Sequence, residues 1–502
     1  MMRTLGRTPP LRTRLPKLTN RLGFGYRRGQ GAGGADRLKS DLAVSSVAEG
    51  LVFRLSAAAQ PDGFAAREIE RVAVRVVNSE FSFDANRAVV ADSDFRWHFS
   101  HRNRTQLPAR ARQLPCAEPA QEPAYNERHD MIHLSSDTGE LFANSYQFAQ
   151  RQVRKLIEKH PMLYPLHTKD GEWKHEGQVW THWSDGFLPG MMWIFYRHAE
   201  QGSADAKFWY ENAVRYTEPI EPRKKDRDAH DLGFLFLSTY YRWNRLHPDA
   251  ARREVLVDAG RTLALRFKEK GGYLRSFVAD NSVFIDTMMN VGIILYSARE
   301  SGDRKLRDIA LRHARTTRRV LVRGDGSTAH EGIFDTDTGE FLHQTTHQGY
   351  RGDSCWSRGL SWAMYGFTTV YEYSRDPHYL ETAQACADFY ITHSPPDGVP
   401  PWDFNAPAEN RTLLDTSAAA IYAAGLLRLC RLVPDSMKGH LYWSTAVRIL
   451  RSLCEKHLGK ADPKWDGILK GGVYHVHKGL GVDESVMWGE YFFCEALERV
   501  LW

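Results

Sequence analysis

Residues 415–425 read Asp415-Thr-Ser-Ala-Ala-Ala-Ile-Tyr-Ala-Ala-Gly425, and no further charge follows until Arg428. From Ser417 onward the side chains are small, apolar or aromatic on every face. A helix without a polar face has nothing to present to water, so this one is predicted to be buried all round. The acid before it suits a helix start, where a carboxylate accepts free backbone N–H groups. Five other segments join a polar loop to a mostly apolar helix in the same way. They are Asp185-Gly-Phe, His230-Asp-Leu-Gly-Phe, Asp286-Thr-Met-Met-Asn, Ser357-Arg-Gly-Leu-Ser-Trp and Trp488-Gly-Glu-Tyr-Phe. The six starts (185, 231, 286, 357, 415, 488) lie 46, 55, 71, 58 and 73 residues apart. Such spacing fits a helical-hairpin repeat with loops of variable length.

The helices between these are of another kind. Asp249 to Lys270 and Asp303 to Arg319 carry many charges and read as outer helices with one wet face. Apolar residues recurring at i, i+3, i+4 and i+7 predict twelve helices, roughly 140–159, 186–201, 205–218, 232–247, 251–270, 287–301, 304–320, 358–375, 378–393, 415–432, 438–457 and 485–501. Short hairpin-like pieces fall near Gly332 to Leu342 and Gly471 to His477. Six inner and six outer helices make an all-α fold, an (α/α)6 barrel. Closure of the ring would bring every inner-helix N-terminus to one end, so their polar residues would converge on one pit. Residues 1–125 are rich in Arg, Gly, Ala and Pro and show one strand-like run, Val72 to Val77. They are expected to form a largely disordered basic extension to a catalytic domain spanning 126–502.

Composition narrows the function. The net charge of +6 is concentrated at the start, where the first 35 residues hold eight Lys or Arg and no acid. The remainder is nearly balanced, which argues against a nucleic-acid partner. No stretch is apolar enough to cross a bilayer, and the N-terminus has no apolar core of a secretory signal. The six cysteines lack CxxC spacing, so neither a zinc site nor a disulfide framework is expected. A cytoplasmic, reducing location follows as the expectation. The 14 Trp are more than packing usually needs and suit stacking against sugar rings.

Among the helix-start acids, Asp185 and Asp415 read as caps. Asp231 and Asp286 sit in more apolar surroundings, between His230 and Leu-Gly-Phe, and between Ile285 and Thr-Met-Met. Desolvation and a second carboxylate nearby would raise one pKa and keep that acid protonated near neutral pH. On these residues alone, capping and general-acid chemistry stay open. Trp180-Thr-His-Trp183 could form a stacking wall. Thr346-His-Gln348-Gly and Arg351-Gly-Asp-Ser-Cys-Trp356-Ser-Arg358-Gly-Leu-Ser-Trp362 bring an amide, a guanidinium and indoles to one rim. A guanidinium with an amide suits a sugar carboxylate.

From about residue 130 the chain resembles the unsaturated glucuronyl hydrolases, glycoside hydrolase family 88. The resemblance rests on Trp183-Ser-Asp-Gly-Phe, His230-Asp-Leu-Gly-Phe, Ile285-Asp-Thr-Met-Met-Asn, Leu321-Val-Arg-Gly-Asp, Thr346-His-Gln-Gly, Arg358-Gly-Leu-Ser-Trp and Trp402-Asp-Phe, in that order. It implies an (α/α)6 barrel, no metal and no cofactor. The implied substrates are lyase-generated oligosaccharides, glycosaminoglycan-type among them, that end in a 4,5-unsaturated uronic acid. The residue matching the family's proton donor is Asp286, and Asp231 matches its partner carboxylate. Trp183, His230, His330, Gln348, Arg358 and Trp362 match substrate-contacting positions, and Phe277 stands where relatives can present Trp. Two departures are Leu360, where an amide is usual, and the absence of serines from Gly472-Val-Tyr-His-Val-His-Lys478, where some relatives bind sulfate. The related unsaturated rhamnogalacturonyl hydrolases share the barrel and the reaction. An (α/α)6 sugar epimerase would instead need paired catalytic histidines.

Overall fold

The computed structural model describes residues 134–173 and 182–502, together with the backbone of six strand segments nearer the N-terminus. The chain divides into two compact units, Met1–Ala117 and Glu118–Trp502. In the first, Asp41–Val47, Gly50–Ser56, Ile69–Val77 and Glu80–Phe83 pair in sequence order as an antiparallel meander. The strand-like run Val72 to Val77 falls in the third of these. Gly25–Tyr26 pairs with Trp97–His98, and the other residues expected to be disordered lie outside the described residues.

The second unit holds thirteen α-helices among its described residues. They are α1 (Ser136–Lys159), α2 (Phe187–His198), α3 (Ala204–Thr217), α4 (Leu232–Ser238), α5 (Tyr240–Leu246), α6 (Ala250–Ala264), α7 (Thr287–Ser301), α8 (Arg304–Leu321), α9 (Ser357–Ser374), α10 (Pro377–His393), α11 (Thr416–Leu429), α12 (Ser436–Lys456) and α13 (Met487–Leu501). The extra helix comes from a break. The segment predicted as 232–247 is interrupted at Thr239, which has φ −112° and ψ −89°. There Ser238 and Thr239 donate their hydroxyls back to Phe234 O and Leu235 O, each at 2.5 Å, a competition with the helix ladder that bends helices.

The inner ring closes. α2 packs on α4, α4 on α7, α7 on α9, α9 on α11, α11 on α13, and α13 returns to α2. The charged helices α1, α3, α6, α8, α10 and α12 lie outside and pack on the inner helices. In α11 every residue but Arg428 is buried, as its apolar circumference requires. Two glycines set close crossings within the inner ring. A Cβ on Gly233 would lie 2.5 Å from Asn290 Cα, and one on Gly366 would lie 2.6 Å from Met288 O. Larger residues there would push α4 from α7 and α7 from α9.

The inner helices start at the same end, and first-turn hydrogen bonds join α13 to α11 and α4 to α7. Trp488 Nε1 donates to Ser417 Oγ at 2.9 Å, and Phe234 N donates to Asn290 Oδ1 at 2.8 Å. A three-stranded antiparallel sheet lines that end: β1 (Ser282–Phe284), β2 (Glu331–Phe334) and β3 (Phe341–Thr345). A hairpin of β4 (Gly472–His475) and β5 (Leu480–Glu484) adds the rim opposite. The two hairpin-like stretches read from the sequence thus belong to the mouth of the barrel.

Candidate active site

Register in the small sheet places the first pair of functional groups. Phe284 pairs with Glu331, and the next residue, Ile285, donates its N–H to His330 O at 2.9 Å. Asp286 therefore leaves the end of β1 directly beside His330. His330 Nδ1 accepts the backbone N–H groups of His347 at 2.9 Å and Gln348 at 3.1 Å. An imidazole nitrogen that accepts cannot carry the proton, so the tautomer is fixed with the proton on Nε2. Nε2 faces Asp286 Oδ2 at 3.4 Å, which is longer than a well-formed charge-assisted hydrogen bond. Electrostatic attraction is the content of that contact.

A second pair mirrors the first. His230 Nδ1 accepts the N–H of Phe277 at 3.0 Å, and its Nε2 stands 3.3 Å from Asp231 Oδ1. Phe277 packs its ring on His230, with centroids 5.3 Å apart. Both aspartates occupy helix N-cap positions, and neither makes a capping hydrogen bond. Asn290 takes over that duty: its Oδ1 accepts Phe234 N in the first turn of α4, and its Nδ2 donates to Asp286 O at 3.2 Å. One buried amide thus satisfies a donor of α4 and an acceptor of α7, leaving both carboxylates for chemistry. The capping alternative left open by the sequence does not describe Asp231 or Asp286.

Their electrostatics diverge. Burial raises the Asp231 carboxyl, and the Asp286 charge raises it further, to about 8, against the opposing pull of Arg266 and Arg223. Burial also pushes Asp286 upward, but His330, His230 and Arg358 outweigh it, and the net direction is below the ordinary value. His230 is lowered to about 3, chiefly by burial, and is neutral at pH 7. The two environments therefore push the carboxyls apart, Asp231 toward the protonated form and Asp286 toward the charged one.

The remaining expected site residues fall around this pair. Trp183 is half-buried, 4.8 Å from the Trp488 ring and 5.4 Å from Phe234. Trp362 is buried below it against Phe234 and Phe492, as part of the pit floor. Arg358 is fully engaged behind the rim, not an open fork. It donates to Val473 O, to Tyr474 O at 2.9 Å and to Gln348 Oε1, and lies 3.6 Å from Asp415. With its oxygen held there, Gln348 has its amide N–H groups to offer a ligand. Asp415 caps α11 through Ser417 N at 3.0 Å, as expected. Asp185 does not cap α2. It lies 3.6 Å from His182 Nδ1 and 3.9 Å from Arg223 Nη1, and burial raises its carboxyl to about 7. Trp180 lies outside the described residues.

Three site residues escaped the sequence reading, Asn290, His347 and Tyr474. Asn290 and His347 were inside quoted motifs, but nothing in their spacing announced their contacts. Tyr474 reaches the site from β4, beside Trp488 at 5.2 Å, and Trp356, one of the indoles expected at this rim, packs against His330 at 4.6 Å. In the Gly472–Lys478 stretch, His475 is buried, and His477 Nε2 is committed to Gly349 O at 2.7 Å. Lys470 lies over the Trp465 ring at 4.1 Å. No cluster of three or more metal-ligating side chains occurs among the described residues.

The family model described as Glycosyl Hydrolase Family 88 matches residues 150–432. The chain belongs to glycosyl hydrolase family 88. The unsaturated glucuronyl hydrolase of Bacillus sp. (strain GL1) is 31% identical over 361 residues, covering 70% of this chain and 93% of that protein. The unsaturated chondroitin disaccharide hydrolase of Streptococcus pneumoniae is 31% identical over 327 residues, covering 64% and 82%. Among solved structures, the Bacillus sp. GL1 enzyme superposes with a TM-score of 0.66 at 29% identity, covering 72% of this chain and 96% of that one. An aspartate-to-asparagine variant of the Streptococcus agalactiae enzyme, complexed with dGlcA-GalNAc6S, gives 0.62 at 26% identity, covering 72% and 92%. This family 88 chain is an enzyme that hydrolyses unsaturated glucuronyl sugars, and its barrel is the six-hairpin toroid read from the helix spacing.

Proposed function

We propose that Asp286 is the proton donor and Asp231 its partner in the hydration of a 4,5-unsaturated uronyl residue at the non-reducing end of a glycosaminoglycan-type oligosaccharide. The observation that carries the reading is the pair of uncapped aspartates, Asp231 and Asp286, each faced by a histidine of fixed tautomer. Gln348, held by Arg358, receives the sugar carboxylate, and Trp183 stacks on the ring.

Docking a carboxylate beside Gln348 offsets the positive charge of Arg358, one of the groups that hold Asp286 low. The pair's proton then resides on Asp286, poised to act as the acid. Asp286 gives that proton to C4 of the vinyl ether while water oxygen bonds to C5. The proton lost by water returns to the Asp286 carboxylate. The resulting hemiketal opens and releases the aglycone sugar. Because a double bond is hydrated, the spacing rule for retaining and inverting glycosidases does not apply.

The test is an unsaturated chondroitin or heparin disaccharide, followed by ultraviolet absorbance of the conjugated acid. The absorbance falls with wild-type protein and persists with Asp286→Asn. An unchanged signal on both glucuronyl and rhamnogalacturonyl substrates overturns the proposal. A reducing, cytoplasmic compartment fits the five described cysteines, all buried free thiols. No described helix is long and apolar enough to cross a membrane.

A further inference from the structure

We propose that Arg266 is a positioning residue for this reaction, holding the His230–Asp231 corner from behind and lending it a buried positive charge. Arg266 follows the end of α6 and is only 3% exposed. Its Nε donates to Arg275 O at 3.1 Å, its Nη2 to Ser276 O at 2.5 Å and its Nη1 to Arg227 O. These carbonyls belong to the two segments that grip His230. Arg227 lies four residues ahead of Asp231, and Ser276 precedes Phe277, whose N–H donates to His230 Nδ1. One planar guanidinium therefore fixes both sides of the corner.

None of the three acceptors carries a charge, and no carboxylate lies within ion-pair distance of Arg266 among the described residues. A buried cation without its own anion is costly, so its retention calls for a reason in its surroundings. The groups whose charges act on it are Asp231, Asp228 and Asp226, opposed by Arg275. Asp231 in turn feels Asp286, Arg266, Arg223 and Asp226, with His230 at 3.3 Å and Tyr474 across the pit. A lysine would retain the charge, but one ammonium cannot span three carbonyls in two directions.

The inference rests on the proposed hydration reaction and is read on it. The experiment measures kcat/KM against pH with an unsaturated chondroitin disaccharide for wild type, Arg266→Lys and Arg266→Met. The lysine variant is expected to lose roughly tenfold in kcat/KM, as displaced catalytic groups do, while keeping the wild-type alkaline limb. The methionine variant loses at least as much, and its alkaline limb moves up by about one pH unit, because removal of a nearby cation favours the protonated acid. If the methionine variant does not fold, Arg266→Gln reports the same limb with donors but no charge. A lysine variant with wild-type kcat/KM, or a neutral variant with an unmoved limb, overturns the proposal. Wild-type protein inactive on every unsaturated uronyl disaccharide would instead remove the functional reading, before any variant is compared.

Discussion

His230–Asp231 and His330–Asp286 are two versions of one device with opposite electrostatic outcomes. In each, Nδ1 is occupied by backbone N–H donors, Nε2 faces a carboxylate at 3.3 or 3.4 Å, and the aspartate sits at a helix start without capping it. The difference lies in what surrounds them. Asp231 is sealed among apolar residues beside a histidine that burial keeps neutral, and its carboxyl rises to about 8. Asp286 is only partly buried, and His330 and Arg358 pull it below the ordinary range. Two identical side chains thus have their pKa values pushed apart by their environments, as acid–base pairs in enzymes do.

The largest expected effect comes from removing the donor. Asp286→Asn should lower kcat by about 10³-fold, within the range for a general acid, with little change in melting temperature because no cap is lost. Equal activity in this variant would erase the distinction between the pairs.

Asp231→Asn should cost about 10²-fold and leave a distinct signature in stability. A folded-state pKa raised to about 8, against roughly 3.9 in the unfolded chain, means that the protonated acid is favoured on folding. That contribution is fully present below the unfolded pKa and is lost as pH rises through the folded one. The asparagine variant should therefore gain in melting temperature relative to wild type between pH 4 and pH 9. A constant difference across that window would show that Asp231 is not held protonated.

His330→Ala should reduce kcat/KM by roughly tenfold, since it frees the His347–Gln348 backbone and misplaces a binding amide. Asp286 should also titrate higher once its main attractive partner is gone. The smallest effect on turnover belongs to Asp415→Asn, which loosens Arg358 and hence Gln348. KM should rise while kcat changes by no more than about threefold. A large fall in kcat there would make Asp415 a third member of the pair's machinery.

Much of the barrel was legible because burial all round a helix is a local property of sequence. Ser417 to Gly425 announces it within nine residues, and the spacing of six such starts supplies the ring. The break at Thr239 was not legible, since its hydroxyl competes with the backbone only in its folded setting. Asp231 and Asp286 could be singled out by their neighbours. Which one holds the proton could not, because the answer sums charges from Arg223, Arg266, His330 and Arg358 on separate segments. For the same reason Arg358 read as an open fork, although the carbonyls of Val473 and Tyr474 already occupy it. The capping expected of Asp185 failed because Arg223 and His182 compete for its carboxylate.

The most direct test is the pH dependence of kcat/KM on an unsaturated chondroitin disaccharide, for wild type and Asp231→Asn side by side. Because kcat/KM reports the free enzyme, wild-type activity should fall as pH rises through about 8, where the pair gives up its only proton. The residual activity of Asp231→Asn should be confined to acid pH, following Asp286 alone. An alkaline limb at the wild-type position in Asp231→Asn would contradict the shared proton.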